Sequence, residues 1–216
     1  MFIMDRMTVY VPLFPAVGAG TVTPARLLAL GFEPSGLAGG GEEGALGDRL
    51  SALLGLIRHW IGRECRGRGR GPSLARALSP WSARRALPLE PIPDLCDCDG
   101  AGLPLALGLA LGRGPARDDR LLAFGRLEPR RGLLTVAPLA DYGPLLDLLE
   151  SLGPQPRPLL CLLPRAVGMT TIDLQRLCAL ARSNLCCAWV DSLTEAIDYC
   201  LARGLVPGLS FPVISP

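Results

Sequence analysis

The chain has 216 residues, an apolar fraction of 49% and a formal net charge of +2. This composition excludes a chain that is disordered throughout, and the small net charge excludes a global attraction to nucleic acid or acidic membranes, although a local basic patch can still bind either. The basic side chains are all arginine, because the sequence contains no lysine.

The N-terminal half predicts strands, a helix and an arginine-rich loop. The uncharged stretch 7–25 is interrupted by prolines, so it predicts neither a membrane-spanning helix nor a signal peptide. The predicted elements are a strand over 7–13, a strand or hairpin return within 21–32, a helix from 45 to near Gly62, an exposed mobile loop over 63–85, and an edge strand over 86–93.

The C-terminal half predicts alternating helices and strands. The predicted elements are an apolar helix over 102–112, two strands around a turn in 121–136, a helix between Asp141 and Gly153, a buried strand over 157–164, a helix capped by Thr171 and running to about Arg182, a strand over 184–190, and a helix from the Ser192–Glu195 capping box to Gly204. We therefore expect one mixed α/β domain over 1–216, with a mixed sheet and flanking helices.

The cysteines indicate reduced thiols. Eight cysteines in a chain with this much apolar sequence are not typical of a secreted disulfide scaffold, so we expect a cytoplasmic protein. Cys96 and Cys98 lie among Asp94, Asp97 and Asp99 and resemble half of a metal site. No CxxC pair or partner histidine completes it, so no metal centre is predicted.

The segment 86–164 resembles the Lon-protease-like domain in the order and texture of its motifs. A strand ending in prolines (LPLEPIPDL) leads through a turn to a helix opening with Leu-Pro (GLPLALGLAL), followed by LLAFGRL, GLLTV, a helix and an apolar strand ending in Pro164. It most resembles non-peptidase relatives, the magnesium-chelatase-like N-terminal domain of the competence protein ComM and the C-terminal domain of the recombination protein RadA. With the partial upstream match the resemblance spans about 30–203.

The resemblance implies a degenerate catalytic dyad. Lon peptidases carry a nucleophilic serine in the turn before this helix and a lysine on a later helix; here Gly100 falls at the serine position and Tyr142 near the lysine position. A hydroxyl nucleophile needs a base, so we predict no peptidase activity. Walker A also requires lysine, so no ATPase and no cofactor are predicted.

One enzymatic alternative stays open, a hydrolase with a nonstandard cysteine and aspartate site over Cys96 to Asp99. A catalytic thiol needs a base or a depressed pKa, whereas the aspartates around Cys98 favour the neutral thiol. The single histidine, His59, lies beside Trp60 on a predicted helix, and we expect it to be packed or to face solvent.

The glycine and arginine loop has the most direct functional interpretation. Arginine on a flexible backbone contacts phosphates without reading sequence, and Trp60 or Trp81 is available to stack on an unpaired base. The candidate nucleic-acid contacts are Arg63, Arg66, Arg68, Arg70, Arg84 and Arg85. The alternative is a solvated surface loop filled by an arginine-for-lysine bias.

The expected partners follow mainly from the resemblance. Lon-like domains commonly assemble into rings, which implies a homo-oligomer or a protein partner. Non-specific DNA is a further candidate partner and a membrane is not. Together these expectations describe a catalytically inactive binding or assembly module, with DNA recombination or repair as its setting.

Overall fold

The computed structural model describes residues 7–15, 25–34, 47–67, 84–88, 96–97, 99–111, 121–130, 133–165, 167 and 169–202. Helices and strands alternate along the chain, so the fold is mixed α/β, as predicted. The strands are β1 (Met7–Pro15), β2 (Arg26–Pro34), β3 (Arg84–Pro88), β4 (Cys96–Asp97), β5 (Leu121–Ala123), β6 (Leu127–Arg130), β7 (Leu133–Val136), β8 (Leu159–Pro164) and β9 (Leu185–Val190). The helices are α1 (Gly47–Gly67), α2 (Gly102–Leu111), α3 (Gly143–Ser151), α4 (Thr171–Leu180) and α5 (Leu193–Ala202).

Most strands form one mixed sheet in the order β3-β2-β1-β5-β8-β9. β2 is antiparallel to both of its neighbours, β3 and β1, whereas β1, β5, β8 and β9 run parallel to one another. The short strand β4 pairs with the end of β1, and β6 and β7 form a separate hairpin. The predicted hairpin return after β1 is therefore confirmed, and so is the strand–helix–strand unit from β8 to β9.

The sheet is covered on both faces. Alternate residues of β8 face opposite sides of the sheet. Leu160 and Leu162 belong to the core cluster that contains α1, α2 and α5, whereas Cys161 and Leu163 belong to the cluster that contains α3. All six residues of β8 are buried. A strand covered on both sides needs apolar residues at every position, which explains the continuous run LLCLLP.

Helix α2 is the most deeply buried element. All ten of its residues are buried, and it packs against α1, α5 and β1. Gly108 lets the helix approach the sheet, because a Cβ there would lie 2.1 Å from the Phe32 ring. The apolar helix predicted over 102–112 is confirmed, and its lack of a polar face follows from its position between a helical layer and the sheet.

Several predicted boundaries shift. Helix α1 passes through Gly62 to Gly67 and β3 begins at Arg84, so both ends of the predicted 63–85 loop have regular structure, while residues 68–83 lie outside the described part. A single glycine inside a helix costs only about 1 kcal/mol, which neighbouring helical residues offset. The edge strand begins at Arg84, two residues before its predicted start at 86, and residues 89–93 of the predicted range lie outside the described part.

Three predictions in the second half are refined. The region 121–136 forms three strands, because β5 joins the main sheet and only β6 and β7 form a hairpin. Thr170, one residue before the predicted Thr171, caps α4 and completes a capping box with Asp173. The predicted stop at Gly204 lies outside the described residues. Within the described residues, no helix has both the length and the apolar character needed to span a membrane.

Candidate functional site

The turn before α2 is clamped to the segment that follows β5. Residues Asp99–Ala101 form a single 3-10 turn that leads directly into α2. The Gly125 N–H donates to the Gly100 carbonyl at 2.9 Å, and the Leu103 N–H donates to the Gly125 carbonyl at 2.8 Å. These reciprocal bonds hold the turn against Phe124 and Gly125. We call Asp99–Gly102 together with Phe124 and Gly125 the Gly100 junction.

The Phe124 ring fills the space beside Gly100. A Cβ built on Gly100 would lie 1.8 Å from Cε2 of Phe124 and 2.4 Å from its Cδ2. Phe124 is itself buried and makes an edge contact with Phe14, with ring centroids 5.4 Å apart. The position that the resemblance assigns to a serine therefore has no room for a side chain while the ring keeps this position.

Gly125 completes the junction for a separate reason. Its φ of +156° is one that side-chain-bearing residues rarely adopt, and a Cβ there would lie 2.6 Å from Cγ1 of Val136. Sequence reasoning singled out Gly100 but missed Phe124 and Gly125. The motif LLAFGRL contained them, but nothing local to it indicates that its aromatic ring lies against a glycine 24 positions earlier.

Tyr142, near the predicted lysine position, is a buried structural residue. It precedes α3, and its hydroxyl donates to the carbonyl of Pro164 at the end of β8. Its ring meets Trp189 edge-on at 5.5 Å, and it belongs to the same core cluster as Phe124. Burial, with a smaller contribution from the nearby Cys187, raises the pKa of Tyr142 above its usual range. A phenol with a raised pKa and a satisfied hydroxyl is poorly suited to accept a proton.

The cysteine and aspartate segment lies at the end of β1. Cys96 pairs with Pro15 and Asp97 pairs with Phe14 through the backbone of β4. Cys98 lies outside the described residues. Across the described part of the chain, no group of three or more histidine, cysteine or acidic residues is arranged to hold a metal ion.

A second pair of thiols, which sequence reasoning treated only as apolar residues, lies across the β8–β9 ladder. Cys161 and Cys187 are direct partners in the register of these strands. Hydrogen bonding to Cys187 and burial raise the pKa of the Cys161 thiol, while the same hydrogen bond lowers the pKa of the Cys187 thiol. The thiols of five cysteines are free: Cys161, Cys178, Cys186, Cys187 and Cys200.

The candidate arginines divide between two elements and the segment between them. Arg63 and Arg66 lie in the last turns of α1, and Arg84 and Arg85 begin β3 at the edge of the sheet. Arg68 and Arg70 lie outside the described residues. His59 is exposed on α1, in agreement with one of the two placements expected for it.

Comparisons with known proteins assign the chain to no family. No protein-family model matches it, and no curated protein matches it significantly.

Proposed function

We propose that this chain is a Lon-like module without peptidase activity that acts in binding or oligomeric assembly. The observation that carries the proposal is the Phe124 ring beside Gly100, in the space where the serine side chain of a Lon peptidase would project. The order of elements from β3 to β8 supports the resemblance, since a strand, a turn, an apolar helix, further strands and a helix follow one another as the family pattern implies.

The missing base supports the same proposal. Acyl transfer by a hydroxyl or thiol requires a neighbouring group that accepts its proton. The sequence contains no lysine, and Tyr142 is buried with its hydroxyl bonded to a backbone carbonyl. The one histidine, His59, is an exposed residue of α1 and is not part of the Gly100 junction.

DNA is the favoured partner in this proposal. The range 63–85 contains seven arginines and a single acid, Glu64. The described ends of this range place two arginines at the end of α1 and two at the start of an edge strand. Arginines at these positions neutralise phosphates and release counterions without reading the base sequence. A recombination or repair setting in the cytoplasm completes the proposal. The five free thiols from Cys161 to Cys200 support only the reducing compartment.

A salt titration tests the DNA branch. Labelled single-stranded and duplex DNA are titrated with the full chain at rising NaCl concentration, and anisotropy gives the association constant. The Arg63→Ala/Arg66→Ala variant should reduce the slope of log K against log salt for duplex DNA by about 1.8, because each lost phosphate contact contributes about 0.9.

The matched control is Arg126→Ala/Arg130→Ala on the β6–β7 hairpin. It removes the same formal charge, but both arginines are exposed and paired with Glu128. This control should leave the slope nearly unchanged. Binding that is absent, insensitive to salt, or weakened equally by both double variants would refute the assignment of DNA to the 63–85 region.

A further inference from the structure

The outer edge of β9 is a strand edge that no described strand covers. β9 is the last strand of the sheet, and no strand of the described residues pairs with its outer side. Its sequence LCCAWV contains no charge and no proline, and its four central residues are partly or fully exposed. The opposite edge strand, β3, begins with two arginines and ends with Pro88. Charges and prolines are features by which proteins block edge pairing, and β9 has neither.

The free backbone groups of β9 can be assigned from its register. The Leu159 N–H donates to the Asn184 carbonyl at 2.8 Å, and β8 and β9 are parallel with Leu159 opposite Leu185. Backbone groups alternate direction along a strand, so the even-numbered residues of β9 point towards β8. Leu185, Cys187 and Trp189 then direct their N–H and C=O groups outward. Among the described residues, no backbone partner is recorded for these six groups.

Both ends of this edge are held in place. Asn184 donates from its side-chain amide to the Gln155 carbonyl at 2.7 Å, and the Asp191 carbonyl accepts from the Val136 N–H at 2.9 Å. An edge that is already extended and fixed at both ends loses little conformational entropy when it pairs.

We propose that β9 is a self-association surface on which the β9 strand of a second copy pairs in an antiparallel manner across a two-fold axis at Cys187. This register is the one that sets all three outward residues opposite one another, with Leu185 facing Trp189 of the other copy. The inference rests on the proposed function in that it identifies the assembly surface of the module.

Charge complementarity selects an antiparallel second copy. The exposed Arg182 lies just before β9, and Asp191, whose side chain is 50% exposed, follows it. Antiparallel pairing brings the basic end of each strand to the acidic end of the other, whereas parallel pairing sets like charges together. Asp191 also pairs with Arg165 at 3.0 Å, so it would be shared between two guanidinium groups.

An exposed apolar side chain on α4 continues this edge. α4 connects β8 to β9 and contacts β9, and its Leu174 is 48% exposed. Leu174 and Arg182 also line one shallow groove, which joins the helix surface to the start of β9. A two-fold axis perpendicular to the sheet puts α4 and its copy on the same face, where Leu174 becomes covered.

The test measures the mass of the full chain by light scattering over a wide range of concentration. The expected result is a dimer whose dissociation constant rises about tenfold or more in the Cys186→Lys variant, because the exposed Cys186 side chain lies on the strand edge. Leu56→Lys is the matched control, since Leu56 is an apolar side chain on α1 that is 50% exposed and lies away from β9. It should leave the dissociation constant unchanged.

Hydrogen exchange provides a readout that does not depend on a variant. The amides of Leu185, Cys187 and Trp189 should exchange quickly in dilute protein and slowly at concentrations that favour the dimer. A chain that is monomeric throughout, or a dimer that Cys186→Lys does not weaken, would overturn the inference. So would amides that are protected in the monomer, which would show that another part of the same chain, such as residues 203–216, covers the edge. A monomer that still binds DNA would leave the proposed function intact.

Discussion

Replacing Gly100 by alanine tests whether the Gly100 junction is a packing contact. The added Cβ would lie 1.8 Å from the Phe124 ring, and carbon atoms normally approach to about 3.5 Å, so the ring must move by roughly 1.5–2 Å. Phe14 packs edge-on against that ring, and Gly125 is fixed by two backbone hydrogen bonds. We expect Gly100→Ala to reduce the free energy of unfolding by about 1–3 kcal/mol, the usual cost of overpacking.

A matched substitution gives the opposite sign where space is free. Gly55 lies in α1 with no atom within 4 Å of an added Cβ. Gly55→Ala should therefore stabilise the protein by up to about 1 kcal/mol, from helix propensity and a less flexible unfolded chain. Urea unfolding of both variants, followed by circular dichroism, makes the comparison.

A double-mutant cycle identifies the ring as the cause. Phe124→Ala alone should cost about 3–5 kcal/mol because it leaves a cavity in the core. The Gly100→Ala/Phe124→Ala variant should be hardly less stable than Phe124→Ala, which gives a coupling of about 1 kcal/mol or more. Additive losses, or a Gly100→Ala variant as stable as Gly55→Ala, would refute the packing account of this turn.

Further predictions concern a buried hydroxyl, alkaline stability and a surface ion pair. Tyr142→Phe removes the donor to the Pro164 carbonyl and should lower the unfolding free energy by about 1–2 kcal/mol in urea titrations; an unchanged midpoint would contradict this. Burial raises the pKa of the Cys200 thiol from 9.0 to about 12. The unfolded chain therefore loses this proton at lower pH than the folded chain does. The free energy of unfolding keeps the full contribution of Cys200 below pH 9 and falls between pH 9 and 12 by up to about 1.4 kcal/mol per pH unit. Cys200→Ala should reduce this slope, measured by urea unfolding at stepped pH. Arg176 on α4 bonds both carboxylate oxygens of Glu150 on α3 at 2.7 Å. Arg176→Met should therefore lower the unfolding free energy slightly at low salt and less at high salt. A loss that does not depend on salt would contradict an electrostatic origin.

The spacing of apolar residues along the sequence predicted several buried elements correctly. The continuous apolar run of β8 and the leucine stripe of α3 each identified a buried element, and Pro144 indicated where α3 begins. The repeated strand and helix pattern also predicted the parallel unit from β8 to β9. These features follow from burial on two faces of a strand or on one face of a helix.

Contacts between distant parts of the chain could not be predicted in the same way. Nothing within β1 or β5 indicates that they are neighbours in the sheet, and nothing near Gly100 indicates that Phe124 packs on it. The end of α1 was predicted five residues early because Gly62 resembles a stop signal, whereas the helix accommodates it. A glycine opposite an aromatic ring is a tertiary contact, and a single sequence carries no local signal for it.

Peptide hydrolysis distinguishes an inactive Lon-like module from a hydrolase. The purified full chain is incubated with a diverse peptide mixture, and mass spectrometry is used to find cleaved products, alongside the Gly100→Ser and Cys98→Ser variants. The account predicts no cleavage by the native chain and none by Gly100→Ser, because the serine has neither room nor a base. Cleavage that follows the purified protein and is lost in Cys98→Ser would contradict the account and favour a hydrolase at Cys96 to Asp99.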